Sequence, residues 1–171
     1  MRDPLANPEP LIKRVYAYVA YRLGDGPDAE DVTSETFERA LRYRKSFDHR
    51  RGDPAAWLIG IARRCIADAA VKRDIPTGEL PELEIAGHAD PAHARLDLAR
   101  ALTDLDERDR ELIALRYGAD LTAKQIGELL DLKTNAVEVA LHRALGRLRR
   151  MLAAQPEPGE PASRRPAANP L

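Results

Sequence analysis

The stretch 121–150, LTAKQIGELLDLKTNAVEVALHRALGRLRR, carries two helical patterns separated by a three-residue break. Thr122 supplies an N-capping oxygen and Gln125 follows at the capping-box spacing, which predicts a helix from Ala123 to about Leu130. Asp131, Leu132 and Lys133 interrupt it. Thr134 offers a second N-cap oxygen, and Val137, Leu141, Ala144, Leu145 and Leu148 recur at three- and four-residue steps, so a longer amphipathic helix is expected to about Leu152. Gly127 leaves room for the two helices to cross closely. Two helices, a tight turn and a small residue at the crossing predict a DNA-binding helix-turn-helix. A purely structural helical hairpin satisfies the same pattern.

The 171 residues suffice for one ordinary domain or two small ones, and the placing of the 13 prolines at the ends and middle favours two. Few aromatic residues and abundant Ala, Leu, Arg and Glu predict an all-α fold. No run approaches the eighteen or so apolar residues of a membrane span, and residues 1–10 are polar and broken by proline, unlike a signal peptide. The expectation is a cytoplasmic protein without membrane insertion. The single Cys65 excludes an internal disulfide; its spacing from Ile61, Ile66 and Ala69 fits a small core residue, with redox sensing as the alternative. His49, His88, His93 and His142 fall in no metal-ligand spacing, so neither a metal nor another cofactor is expected. Ser34, Ser46 and Ser163 lack a base with an orienting partner, and no glycine-rich phosphate loop is present, so the chain does not read as an enzyme.

A net charge of −1 looks unsuited to nucleic acid until it is divided along the chain. Residues 1–73 hold 14 basic against 11 acidic side chains, residues 74–98 hold 1 against 6, and residues 99–152 hold 10 against 9. Two mildly basic blocks flank an acidic connector. A protein binding DNA strongly by itself would carry a larger positive excess, because phosphate contacts dominate affinity.

In chain order, residues 1–10 are expected to be disordered. Leu11, Ile12, Val15, Tyr16, Val19 and Leu23 predict a first helix, ended by Gly24, Gly26 and Pro27. The second, from Pro27 to about Arg44, sets Ala29, Val32, Thr33, Thr36, Phe37, Ala40 and Leu41 on one face. Asp28, Asp31, Glu35 and Glu38 form an acidic stripe roughly 150° around the helix. Such a stripe is either solvated or meets a basic partner. In residues 42–53, Tyr43, Phe47 and His49 interleave with Arg42, Arg44, Lys45, Arg50 and Arg51. That composition suits single-stranded nucleic acid, where bases stack on rings and the backbone follows cations; equally, Tyr43 and Phe47 could plug the core. Asp53 and Pro54 start a third helix that buries Trp57, Leu58, Ile61, Ala62, Cys65, Ile66 and Ala69, with Arg63, Arg64, Lys72 and Arg73 off that face. These elements make a first domain over residues 11–73. Residues 74–98 read as a flexible acidic linker. Helical spacing then resumes, with Asp106 as a cap, in a second domain over residues 99–152. Residues 153–171, rich in Pro and Ala, are expected to be a disordered tail.

With both blocks laid out, the chain resembles the extracytoplasmic-function (ECF) class of bacterial RNA polymerase sigma factors. Residues 28–37, DAEDVTSETF, are similar to that family's polymerase-binding helix. Phe47, Asp48, Arg51, Gly52, Ala56, Trp57, Leu58, Ile61, Ala62, Arg63 and Asp68 follow as in its promoter-melting segment. Leu105, Arg108, Leu115, Arg116, Tyr117, Ile126, Leu129, Val137, Leu141, His142, Arg143, Ala144, Leu148 and Leu152 resemble the domain that binds the upstream promoter element. The resemblance implies core RNA polymerase, promoter DNA and an anti-sigma factor as partners. It assigns core binding to the stripe of Asp28, Asp31, Glu35 and Glu38. It assigns the melted minus-ten element, including capture of a flipped base, to Tyr43, Arg44, Lys45, Phe47, Arg51 and Trp57, with Arg63, Arg64 and Lys72 on phosphates. Lys133, Thr134, Asn135, Glu138, His142, Arg143 and Arg147 would face the minus-thirty-five element, where Asn135 could read adenine and Glu138 cytosine. The acidic linker would thread toward the polymerase active site.

The chain departs from the family pattern at Glu138, Val139 and Ala140, where Lys and Arg are frequent, at Arg64 in place of Asn, and at Asp106 in place of Pro. An autonomous helix-turn-helix regulator that footprints a palindrome unaided is the alternative function, and an adaptor working through the acidic stripe is a third.

Overall fold

Proline stands at the start of each of the first four helices, where its missing N–H leaves no bond unmade and its fixed φ suits the helical turn. The computed structural model describes residues 3–50, 52–73 and 91–154. In order these are α1 (Pro8–Leu23), α2 (Pro27–Tyr43), a 3-10 turn (Arg44–Ser46), α3 (Pro54–Arg73), α4 (Pro91–Asp104), α5 (Glu107–Ile113), a π turn (Ala114–Gly118), α6 (Ala123–Leu130) and α7 (Thr134–Ala153). Among the described residues all regular structure is helical. Gly24, at φ 87°, ends α1 with its N–H donating to Ala20 O at 2.9 Å, the left-handed exit that glycine makes without steric cost.

Two predicted boundaries are corrected. Helix α1 begins at Pro8 rather than Leu11; Pro4 is buried and Leu5 packs on the core, so part of the N-terminus expected to be disordered is ordered by apolar contact. Helix α4 begins at Pro91, so residues 91–98 of the expected linker are helical. The acidic composition outweighed a legitimate start signal, proline at the first helical position. The remainder of that linker, residues 74–90, lies outside the described residues, as do residues 155–171 of the expected tail.

Helices α1, α2 and α3 bury Val15, Val19, Ala29, Val32, Ala40, Leu58, Ile59, Ala62 and Cys65 among themselves. Burying each Leu, Ile or Val stabilises by about 1.5–3 kcal/mol. A smaller cluster of Ala101, Leu102, Leu105, Ile113, Ala144 and Leu148 joins α4 and α5 to α7. The two groups of helices are not separate bodies on a tether. Leu112, Ala114, Leu115, Ala119, Leu121, Ile126, Val137 and Leu141 belong to the same apolar core as Val15, Tyr18 and Val19. The closest approach is α1 against the π turn: a Cβ on Gly118 would lie 2.9 Å from both Tyr18 Cα and Tyr18 N.

Candidate nucleic-acid and partner interfaces

The acidic stripe of α2 divides once its neighbours are in place. Asp28, Asp31 and Glu38 are exposed, whereas Glu35 is half-buried and pairs with Arg39, whose guanidinium also meets Asp68 of α3 at 2.8 Å. The hydrogen bonds that Arg39 donates to Asp68 and Glu35 hold its guanidinium well above its ordinary pKa, so it stays charged and ties α2 to α3. Glu35 is thereby corrected from a free stripe residue to part of an internal pair. Glu38 lies 3.9 Å from Arg42 one turn on, an exposed pair of small energetic weight.

The aromatic and basic segment also divides. Tyr43 is 59% exposed, and Arg44 and Lys45 project from the exposed 3-10 turn. Phe47, by contrast, is buried: its ring centroid lies 5.2 Å from that of half-buried Trp57 and 4.7 Å, edge-on, from His49. Phe47 is thus packed against its own chain, the inward of the two placements the sequence left open, and offers a base little free surface in this arrangement. Arg51 lies outside the described residues. On α3, Arg64 and Lys72 are exposed, but Arg63 is drawn across the molecule to donate to Glu111 Oε1 at 2.9 Å.

The helix-turn-helix is built as its local chemistry demands. Gln125 N–H donates to Thr122 Oγ1 at 3.2 Å and Thr122 N–H to Gln125 Oε1 at 2.8 Å, closing the capping box. Asp131 takes a left-handed conformation (φ 56°), and Leu132 N–H donates back to Gly127 O at 2.8 Å. A Cβ on Gly127 would lie 2.5 Å from Leu132 O, so the room this glycine leaves is filled by the turn itself. The expected cap at Thr134 is corrected: Lys133 occupies the N-cap position without a side-chain bond, and Thr134 is the first helical residue. Val137, Leu141, Ala144 and Leu148 are buried, leaving Lys133, Thr134, Asn135, Glu138, His142 and Arg143 exposed along one side of α7, with Val139 44% exposed among them.

Arg147 leaves this set. Its Nη2 donates to Asp109 Oδ1 at 2.6 Å and its Nε to Oδ2, a bidentate pair in which Asp109 is only 3% exposed. The hydrogen bonds to Asp109 raise the Arg147 pKa. Its role is to join α5 to α7.

Side chains that periodicity did not single out organise the rest. Glu111 of α5 receives Tyr18 Oη at 3.0 Å, Arg63 Nε at 2.9 Å and Arg22 Nη1, while Arg22 Nη2 donates to Glu107 at 3.0 Å. Arg14 Nε donates to Ala119 O at 2.7 Å and its Nη2 to Asp120 O at 3.1 Å. These pairs join residues roughly fifty to a hundred positions apart, so no local pattern announces them. Burial pushes the Cys65 thiol up from its ordinary pKa, which fits a core residue better than a sensor. Among the described residues, no cluster of His, Cys, Asp and Glu could hold a metal ion, and no helix is long and apolar enough to cross a membrane. The exposed surfaces offer cations, amide and carboxylate groups, the chemistry of binding.

Family models for Sigma-70 region 2 and Sigma-70 region 4 match residues 9–74 and 101–150. Over 164 residues the chain is 34% identical to the ECF RNA polymerase sigma factor ShbA of Streptomyces griseus, covering 86% of this chain and 84% of that protein. It is 32% identical over 148 residues to the ECF RNA polymerase sigma factor BldN of Streptomyces coelicolor, covering 81% of this chain but only 56% of the longer relative. Among solved structures, the sigma factor RpoE in complex with the anti-sigma factor NepR from Bartonella quintana shares the fold at a TM-score of 0.70, with 20% identity over 86% of this chain and 95% of that one. CnrH in complex with the cytosolic domain of CnrY aligns at a TM-score of 0.61 and 26% identity, covering 89% of this chain and 86% of that one.

Proposed function

The chain belongs to the ECF class of RNA polymerase sigma factors, and on that premise we propose how its residues divide the work of promoter selection. The observation that carries the reading is the order of the two matches in one polypeptide, region 2 over residues 9–74 and region 4 over residues 101–150. Asp28, Asp31 and Glu38 on α2 dock on a basic surface of core polymerase. Tyr43, Arg44 and Lys45 meet the melted minus-ten strand, Tyr43 offering an exposed ring for a base to stack on. Arg64 and Lys72, and Arg63 once it is free, neutralise adjacent phosphates.

The exposed side of α7 enters the major groove at the minus-thirty-five element. Asn135 pairs with adenine, Glu138 accepts from cytosine N4, and Val139 packs on a thymine methyl. Such a donor-poor face gives selectivity with little affinity, so polymerase supplies the remainder. The chain has no catalytic activity of its own and works in the cytoplasm beside polymerase. The complexes of RpoE with NepR and of CnrH with CnrY support an anti-sigma factor as its regulator.

Reconstitution tests this directly: promoters selected from random DNA by the purified chain plus core polymerase should be transcribed, and neither component alone should initiate. Asp31→Arg should weaken core binding at least tenfold while the helical circular dichroism and thermal midpoint stay unchanged. Undiminished core affinity in that variant would remove the stripe from the docking surface.

A further inference from the structure

We infer that the far half of α7 carries a seat for a DNA phosphate, built around Gly146 and ringed by His142, Arg143, Arg149 and Arg150. The inference deepens the reading of α7 as the minus-thirty-five helix and rests on it for the identity of the anion. Gly146 stands inside a helix of 20 residues, where glycine is less favourable than any residue but proline because it gives up the most backbone freedom. No neighbour requires it: a Cβ built there would meet nothing within 4 Å. Gly118 and Gly127 differ, since α1 backbone fills the space beside the first and the Leu132 carbonyl the space beside the second. The space over Gly146 is left to something outside the chain.

Its surroundings select an anion. On a helix surface the neighbours of a residue stand three and four positions away, which for Gly146 are His142, Arg143, Arg149 and Arg150. All four are exposed. Arg150 Nε donates to Gly146 O at 3.3 Å, which holds that side chain back along the helix toward the glycine. None of the three arginines has a carboxylate partner among the described residues, and the one acid of α7, Glu138, lies about two turns earlier. Arg147 is apart from this ring, because it is turned onto Asp109. Three unanswered guanidinium groups around bare backbone suit a group with several acceptor oxygens.

Reach makes that group a backbone phosphate rather than a base. Gly146 follows Asn135 by eleven residues, about 16 Å along the helix axis. The major groove is about 12 Å wide, so when Asn135, Glu138 and Val139 read bases, Gly146 has passed the groove wall. There the missing Cβ lets the phosphodiester chain come against the helix. The reading end stays donor-poor and selective, while the seat adds affinity without sequence preference.

Gly146→Ala and Arg149→Gln test the seat in holoenzyme reconstituted from the full chain and core polymerase, on duplex promoter DNA. Alanine favours the helix, so the Gly146→Ala chain should melt at a higher temperature than wild type yet bind promoter about tenfold more weakly as holoenzyme. Arg149→Gln should lose affinity to a similar extent and flatten the plot of log affinity against log salt by about 0.9, the share of one phosphate. Both losses should be equal on promoters that differ in the minus-thirty-five sequence. A neutral methylphosphonate placed in turn at each position bordering that element should weaken wild type at one position and weaken neither variant further there. Undiminished affinity or a lower melting temperature in Gly146→Ala would overturn the seat. So would an unchanged salt slope in Arg149→Gln, or methylphosphonate losses that simply add to those of the variants at every position. Wild-type holoenzyme indifferent to a scrambled minus-thirty-five element would count against base reading by α7 instead, because the salt slope does not depend on sequence and still reports the seat.

Discussion

Single residues in this molecule separate those that hold the fold from those that meet partners. Asp109 is 3% exposed and its carboxylate is held by both Nε and Nη2 of Arg147, so Asp109→Ala leaves a guanidinium without its carboxylate between α5 and α7. The expected loss is about 3 kcal/mol in urea unfolding, the scale of breaking a mostly buried ion pair by removing one partner. Phe47→Ala should likewise cost about 3 kcal/mol, because the buried ring contacts both Trp57 and His49. A promoter-melting defect without any loss of stability would show instead that Phe47 leaves the core to act. Cys65, fully buried with its thiol pKa raised by burial, should react with a thiol reagent only as fast as the protein opens, and at the ordinary rate in denaturant.

At the scale of elements, the local signals were legible and the long-range ones were not. The capping box of Thr122 and Gln125 and the cap of Asp106 on Asp109 N–H, at 2.8 Å, both stood in the sequence because donor and acceptor lie three residues apart. Thr122→Ala should accordingly cost about 1 kcal/mol. Gly127 was legible as a small residue but not for what fills its space, since the carbonyl of Leu132 returns only when Asp131 turns left-handed. Gly127→Ala should therefore destabilise by more than 2 kcal/mol in thermal unfolding, despite the gain of about 1 kcal/mol that alanine brings to an open helix position. The helix patterns placed Phe47 and Tyr43 equally well outside or inside. Only packing against Trp57 separates the buried ring from the exposed one. Nothing local marked the π turn, which inserts an extra residue into the helical ladder and so aims Gly118 at α1.

For the whole molecule, the resemblance fixed family and helix order, but not the contact between halves, which depends on pairs such as Arg22 with Glu111. That contact carries a pH dependence of definite sign. Burial raises the Tyr18 pKa above its ordinary value of 10.0, against the lowering influence of Arg22 and Arg63. The form with the two groups in contact therefore binds the phenolic proton more tightly than a form with Tyr18 in water. Its contribution is complete below pH 10 and is lost as pH rises through the raised value. The radius of gyration should increase as pH rises above 10 in wild type, and less so in Tyr18→Phe, which has no proton to lose.

The two groups of helices share one apolar core yet are joined by the backbone of residues 74–90, so their association is a matter of local concentration as much as of contacts. Short tethers hold their ends at an effective concentration in the millimolar range. Detached halves that associated with a Kd of only 1 mM, about −4.1 kcal/mol, would be roughly half associated in the intact chain. A weak interface thus keeps a substantial fraction of molecules packed together at any cellular abundance, because the contact never depends on meeting a second molecule. Chain length between the two groups becomes a tuning element: a Gly-Ser insertion after Arg73 should lower the fraction of molecules with the groups in contact without altering one contact.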